Sequence, residues 1–133
     1  MRFKRIIQIS YELSEKIGRK KRNKHFSFIL SKNKILAIGI NNSKTHPLNL
    51  KYNYVNRKKN KISEMIGTHS EMNAVLKLKK SCEGLVMVNT RINKKNELAY
   101  SKPCNGCLDL IKKLKFDQVF YINKNKKFEN LQI

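Results

Sequence analysis

Four residues in the second half of the chain have the types and spacing for metal-assisted hydrolysis. His69 is followed two positions later by Glu71, and further along Cys104 and Cys107 form a Cys-x-x-Cys pair that Pro103 introduces. One imidazole and two thiolates can hold a zinc ion and leave its fourth position open, as catalytic zinc sites do. A carboxylate beside that position can carry protons to and from a water molecule. The spacing therefore predicts a hydrolytic zinc site with Glu71 as its proton carrier.

The cysteine pair has two other interpretations, a thioredoxin-like redox pair and one half of a structural zinc site with four ligands. A structural site would need a second pair of Cys or His at short spacing. Cys82 is isolated, however, and His25 and His46 lie far apart in the sequence. Three cysteines are also too few for the disulfide framework of a secreted protein. We therefore expect a metal site in a reducing compartment, with Cys82 as a small apolar filler.

The apolar pattern predicts the elements that position these residues. Helical spacing indicates an amphipathic N-terminal helix over residues 1–24, and two β-rich runs indicate a hairpin. The remaining expected elements are a helix over 68–80, a central strand over 84–90, a helix from about Pro103, a strand over 118–122 and a short last strand within 128–133. This order indicates a mixed sheet of about five strands covered by helices.

Two residues are typical of helix starts. Thr68 with Glu71 three residues later is a capping-box pattern, which on its own would explain both residues without any chemistry. Pro103 suits the first position of a helix, where its missing N–H would have no partner. The downstream cysteines and the ligand set, one short of four, favour a chemical role for Glu71 in addition to a structural one.

Composition limits the class of protein. The 133 residues fit a single domain, 1–133, and no apolar run approaches the roughly 18 residues that cross a bilayer, so we expect a soluble, cytoplasmic protein. The net charge of +21 comes from 30 basic and 9 acidic residues. Such an excess favours polyanionic partners. A genome rich in A and T would also favour lysine codons, although it does not readily explain so few acids.

Residues 43–63 form a stretch without clear periodicity, which we interpret as a basic loop insertion. Within it Tyr52, Tyr54 and Arg57 combine aromatic rings with positive charge, a combination that can stack bases and neutralise phosphates. The loop precedes the helix that carries His69, so it is a candidate wall of the substrate pocket. A solvated basic loop without a ligand is the alternative.

The sequence resembles the cytidine and deoxycytidylate deaminase superfamily from about Phe26 to Ile122. His-x-Glu followed by Pro-Cys-x-x-Cys is the pattern of the zinc-dependent nucleobase deaminases. Residues 69–74 match the superfamily's His-Ala-Glu-x-Asn-Ala helix start, with Ser70 in place of the frequent Ala. Asn41 ends a predicted strand where superfamily members often carry an asparagine that contacts the sugar.

This resemblance implies a cytidine deaminase-like, three-layer α/β/α fold. It further implies one zinc ion per chain on His69, Cys104 and Cys107, with Glu71 as the proton shuttle and Asn41 as a substrate contact. Members of the superfamily often assemble through their helices, so a homo-oligomer is an open expectation.

The expected reaction is hydrolytic conversion of cytosine to uracil with release of ammonia. The net charge and the basic loop favour cytosine in single-stranded nucleic acid, and Tyr121 is a further candidate for the base pocket. Three alternatives stay open: a free (deoxy)cytidylate or cytidine as the pyrimidine substrate, adenosine in tRNA, and a non-enzymatic, zinc-stabilised domain that binds nucleic acid.

Overall fold

The computed structural model describes residues 3–18, 23–41 and 68–132. The described elements follow the predicted order and are α1 (Phe3–Ile17), β1 (Lys24–Ser31), β2 (Lys34–Ile40), α2 (Ser70–Leu78), β3 (Val86–Ile92), α3 (Asn105–Leu114), β4 (Gln118–Ile122) and β5 (Phe128–Asn130). The basic loop insertion predicted over residues 43–63 lies outside the described ranges.

The five strands form one mixed sheet in the order β2-β1-β3-β4-β5. β3 and β4 run parallel, and the other neighbouring strands are antiparallel. A parallel pair needs a long crossover, which α3 provides between β3 and β4. β1 and β3 occupy the middle of the sheet and are buried along most of their length. The predicted mixed sheet, with a central strand near residues 84–90, is confirmed.

Helices cover both faces of this sheet. Phe28 and Ile29 are neighbours on β1, and their side chains therefore point to opposite faces. Phe28 packs in a buried apolar cluster with Ile6 of α1. Ile29 belongs to a second cluster, which contains Ala74 of α2 and Ile111 of α3. The result is the predicted three-layer α/β/α arrangement, with α2 and α3 on the face opposite α1.

The first helix is shorter than the predicted span of 1–24. α1 ends at Ile17, because Gly18 adopts a left-handed conformation with φ +83°. The Gly18 N–H donates to the Ser14 carbonyl at 3.2 Å, which closes the last turn of the helix. Lys24 already belongs to β1. The prediction was wrong about the end of this helix because the glycine terminates it before the basic residues that follow.

The predicted hairpin is formed by β1 and β2. Its turn places Lys32 and Asn33 at φ +48° and +69°. Two successive left-handed residues are the mark of a type I′ turn, whose twist matches that of the two strands it joins. The chain therefore leaves the centre of the sheet on β1 and returns along its edge on β2.

Gly39 of β2 allows α2 to approach the sheet closely. A Cβ atom at this position would lie 2.7 Å from the Ala74 Cβ and still closer to the backbone of Ser70 and Ala74. Real Cβ atoms essentially never come within 3.0 Å of another heavy atom in this way. Since His69 and Glu71 lie at the start of α2, the absence of a side chain at Gly39 sets how far these residues stand from the sheet.

We expect side chains at this position to destabilise the protein in order of size. Gly39→Ala and Gly39→Val must push α2 away from β2, at a cost of about 1–3 kcal/mol for overpacking, with valine at the upper end. Urea unfolding of the two variants and the wild-type protein measures this cost. A Gly39→Val variant as stable as the wild type would show that the close packing of α2 contributes nothing.

Candidate active site

Three potential metal ligands converge between the starts of α2 and α3. The His69 Nδ1 atom lies 3.4 Å from the Cys104 Sγ and 3.5 Å from the Cys107 Sγ. The three ligand atoms all lie within 4.8 Å of one another. Cys107 is completely buried, while His69 and Cys104 are partly buried. The fold thus brings together the residues that the sequence predicted as a metal site.

The geometry of this group fits a zinc ion. Zinc binds imidazole nitrogen at about 2.05 Å and thiolate sulfur at about 2.3 Å, so tetrahedral ligands would place N and S roughly 3.5 Å apart. The two nitrogen-to-sulfur distances from His69 are 3.4 and 3.5 Å. Zinc also favours mixed nitrogen and sulfur ligands. The residues therefore fit zinc, with His69 binding through Nδ1.

Each of two helices presents a potential metal ligand at its N-terminus. His69 is the N-cap of α2, with φ −69° and ψ 158°, and Cys104 is the N-cap of α3, with φ −70° and ψ 171°. Both residues are extended, so their side chains leave the helix axis and meet between the two helices. The partial positive charge of a helix N-terminus stabilises thiolate or hydroxide nearby.

These N-caps correct two predictions about helix starts. The capping box is wrong, because the N-cap is His69 and not Thr68, and the His69 imidazole lies against the cysteine sulfurs instead of capping the helix. Pro103 precedes the N-cap Cys104 and does not occupy the first helical position. In both places the extended N-cap conformation is taken by a residue that turns its side chain toward the other helix.

Glu71 belongs to a ring of four side chains whose polar atoms are in contact beside the potential metal ligands. Its Oε1 accepts from the Ser70 hydroxyl, and its Oε2 accepts from the Asn89 side-chain amide, each at 3.1 Å. The Ser27 hydroxyl donates to Asn89 Oδ1 at 2.7 Å and lies 2.8 Å from the Ser70 Oγ. All four residues are buried, and Glu71 is 6 % exposed. The Glu71 carboxylate therefore accepts one hydrogen bond from α2 and one from β3 of the sheet.

The electrostatics of the site disfavour negative charge unless a cation is bound. Burial raises the pKa of Glu71 above its ordinary value, and the charge of Cys104 raises it further, although hydrogen bonds and His69 act against this rise. The hydrogen bond with Cys104 and burial raise the pKa of Cys107 well above that of an ordinary thiol. A divalent cation on these ligands would reverse this balance, because its charge favours the deprotonated thiols.

The raised pKa of Glu71 predicts a pH-dependent stability difference in the metal-free protein. A carboxyl whose pKa is higher in the folded state stabilises that state while it is protonated, and this contribution is lost as the pH rises through the folded pKa. Metal-free Glu71→Gln should therefore exceed the metal-free wild type in stability at pH 7, and the difference should shrink toward pH 4. Urea midpoints measured with a chelator test this, and an equal difference at both pH values would contradict it.

A cavity of about 240 Å³ opens beside this cluster. Its described lining is mostly polar and consists of His25, Asn41, Thr68, His69, Ser70, Glu71, Asn89, Thr90, Ser101, Lys102 and Cys104. Glu71 and two of the potential metal ligands therefore border one space. A small molecule in this cavity would meet the Glu71 carboxylate and the potential metal ligands at once.

Asn41 stands at the edge of this cavity in a fixed orientation. Its Oδ1 accepts the His25 backbone N–H at 3.0 Å, and its Nδ2 donates to the Asn23 carbonyl at 3.2 Å. Its own backbone N–H donates to the His25 carbonyl at 3.3 Å. The residue predicted as a substrate contact thus lines the cavity, with its amide oriented by hydrogen bonds at the start of β1.

Tyr121, a further predicted substrate contact, is not brought to the described cavity lining. Tyr121 lies in the core on β4, its hydroxyl donates to Glu129, and its ring meets Tyr100 edge to face at 6.1 Å between centroids. It is not among the described residues that line the cavity. The remaining predicted contacts, Tyr52, Tyr54 and Arg57, lie outside the described residues. Their roles stay predictions.

Sequence reasoning missed three residues that surround the predicted site. Asn89 and Ser27 complete the ring around Glu71, and the Ser101 hydroxyl donates to the Asn89 carbonyl while accepting the Ile122 N–H, both at 2.8 Å. One signal was available, since Asn89 interrupts an apolar run that was predicted to be a central strand. A polar side chain in such a strand needs a buried partner.

None of the three described helices combines the length and apolar character that crossing a bilayer requires.

The five-strand mixed sheet with its three described helices is consistent with the cytidine deaminase-like α/β fold. The crystal structure of dCMP deaminase from the cyanophage S-TIM5 in complex with dCMP and dUMP is similar, with a TM-score of 0.57 and 19% sequence identity. The similarity covers 91% of this chain and 80% of that chain. The apo form of the same enzyme gives a TM-score of 0.51 at 19% identity, with 90% and 84% of the two chains covered. The predicted fold is therefore confirmed.

No protein-family model matches the sequence, and no curated protein matches it at a significant level.

Proposed function

We propose that this protein is a zinc-dependent hydrolytic deaminase that converts the cytosine of a free pyrimidine nucleotide to uracil. The observation that carries the proposal is the placement of the Glu71 carboxylate in the same cavity as His69 and Cys104. Cys107 is the third potential metal ligand, and it is fully buried against His69. A hydrolase of this kind needs one proton carrier and one open metal position in a single space, and these residues supply both.

The residues divide the work between them. His69, Cys104 and Cys107 would hold one zinc ion per chain, and a bound zinc ion supplies Lewis acidity and lowers the pKa of water. Glu71 takes one proton from the attacking water and delivers it to the ring nitrogen, and then takes the remaining proton from the new C4–OH group and delivers it to the departing ammonia. Overall one water is consumed, the C4–N bond breaks, a C4–O bond forms, and ammonia leaves.

A free nucleotide is the substrate that the observations favour. The solved neighbour was crystallised with dCMP and dUMP, a cytosine nucleotide and its uracil counterpart. The described cavity of about 240 Å³ is slightly smaller than the usual ligand pocket, and this size favours a single nucleotide over a larger ligand. Asn41 in its lining would contact the sugar, and Lys102, also in the lining, would offer positive charge to a phosphate.

Cytosine in single-stranded nucleic acid is the second candidate, and the net charge of +21 favours it. It would use Tyr52, Tyr54 and Arg57 as contacts to neighbouring nucleotides. The two candidates share the metal and proton chemistry and differ in what borders the cavity.

One assay separates these functions. The zinc-loaded protein is incubated with dCMP, CMP, cytidine, single-stranded DNA, single-stranded RNA and tRNA, and uracil and inosine products are quantified. We expect uracil nucleotides from dCMP or CMP at a rate that responds weakly to salt. Uracil only from polynucleotides, with a steep loss of binding as salt rises, would replace our proposal by the second candidate. Inosine would indicate adenosine deamination, and no product from any substrate would indicate a non-enzymatic zinc domain.

A further inference from the structure

We propose that Asn89, anchored by Ser27, is a positioning residue that holds Glu71 in its working orientation. This inference rests on the proposed deaminase function and adds a role for two residues outside its metal-binding and proton-carrying set. Its basis is the ring of side chains around Glu71, which joins α2 to the centre of the sheet.

The pairing of β1 with β3 brings the anchor and the positioning residue together. Ser27 and Asn89 are directly opposite in the antiparallel register, so their side chains lie on the same face of the sheet. Their side chains meet at 2.7 Å, between Ser27 Oγ and Asn89 Oδ1. Ser27 is 0 % exposed and Asn89 is 3 % exposed. This contact is therefore shielded from water and set by the backbone pairing of two central strands.

The Glu71 carboxylate, which accepts hydrogen bonds, determines which way the Asn89 amide faces, and the Ser27 hydroxyl holds the amide oxygen in place. The amide oxygen can only accept, so the Ser27 hydroxyl donates to it. That leaves the amide nitrogen turned toward Glu71, where its N–H donates to Oε2 at 3.1 Å. The opposite orientation would point the amide oxygen at a carboxylate, with two acceptors in contact. Ser27 thus helps to keep the donor end of Asn89 against Glu71.

Asn89 also connects the two segments that carry the site. Its side chain reaches Glu71 of α2, and its carbonyl accepts the Ser101 hydroxyl at 2.8 Å. Ser101 lies three residues before Cys104, the ligand at the start of α3. Asn89 of β3 therefore fixes the position of Glu71 relative to the segment that leads into Cys104. Displacing a catalytic group by about 1 Å can lower a rate by about 100-fold, so this positioning should affect turnover directly.

The proposal predicts a specific change in kinetics. Asn89→Ala should keep its zinc stoichiometry and its KM for dCMP within about twofold, while kcat falls by about 10- to 100-fold. Ser27→Ala should show the same pattern with a smaller fall in kcat, because Asn89 keeps its bond to Glu71 but loses its anchor. Ser14→Ala is the matched control, since Ser14 is an equally buried serine on α1, which covers the face of the sheet opposite α2 and Glu71, and its partner is Lys24. Its kcat should stay within about twofold of the wild type.

The outcomes distinguish this proposal from the proposed function. A wild-type protein that deaminates no nucleotide would end the proposed function and this inference with it. An active wild type with Asn89→Ala at unchanged kcat would overturn the positioning role and leave the function intact. A raised KM at unchanged kcat would overturn it as well, since Asn89 would then bind substrate. If Asn89→Ala does not fold, Ser27→Ala decides: a lowered kcat at unchanged KM supports the proposal, and wild-type kinetics overturn it.

Discussion

Glu71→Gln should lower kcat for dCMP by about 10²- to 10⁴-fold while the protein keeps its zinc. The substitution preserves the shape of the side chain and can keep both hydrogen bonds of the ring, with its oxygen facing Asn89 and its amide nitrogen facing Ser70. It removes only the ability to take up and release a proton. Single-turnover and steady-state rates, together with metal analysis of the purified variant, measure the two effects separately.

Glu83→Gln is the matched control for this prediction, because Glu83 is an exposed carboxylate away from the cavity. Its kcat and zinc content should equal those of the wild type. A Glu71→Gln variant that retains near-normal turnover would contradict the assigned role. If the wild type is inactive and Glu71→Gln changes nothing except stability, the protein is a zinc-stabilised domain without catalysis.

Cys107→Ala should lose the metal itself. Two ligands bind zinc far more weakly than three, and the lost ligand is the completely buried one. We expect the zinc content to fall from about one ion per chain to near zero, and turnover to fall with it. Metal analysis after dialysis against a weak chelator is the direct measurement.

Cys82→Ala provides the comparison for this loss. Cys82 is also buried, at 3 % exposed, but it packs in the apolar core and not with the metal group. Its variant should lose some stability and keep its zinc. Equal zinc content in the Cys107 and Cys82 variants would show that the His-Cys-Cys group is not the metal site.

The sequence allowed the fold to be predicted wherever local signals determine structure. The order of elements follows from the change between helical and alternating apolar spacing, and β4 begins and ends at the predicted residues Gln118 and Ile122. The predicted end of α1 was wrong because Gly18 adopts a left-handed conformation that ends the helix, although the polar sequence pattern continues beyond it. The order of strands in the sheet could not be derived, since β1 pairs with β3 across a long separation in sequence.

The residues of the candidate site also fall into those that local sequence signals predict and those that depend on distant parts of the chain. His69, Cys104 and Cys107 were predictable because their spacing at helix starts carries the information about a metal. The contribution of Asn89 was not predictable, because its contact with Ser27 depends on the register of two strands distant in sequence. Thr68 was assigned as an N-cap on a local pattern, but the helix begins one residue later, with His69 in the extended N-cap position and its imidazole against the cysteine sulfurs.

The cavity has a further consequence for how such a protein can change its substrate. Asn41 and Thr68 both line it, and they are the described residues on either side of residues 42–67. The two described residues that flank the segment therefore border one cavity, while the potential metal ligands and Glu71 all come after it in the chain. Under the proposed function, substitutions within the segment are expected to alter which substrate is accepted without replacing any proposed chemical group, so substrate preference and catalysis could evolve separately.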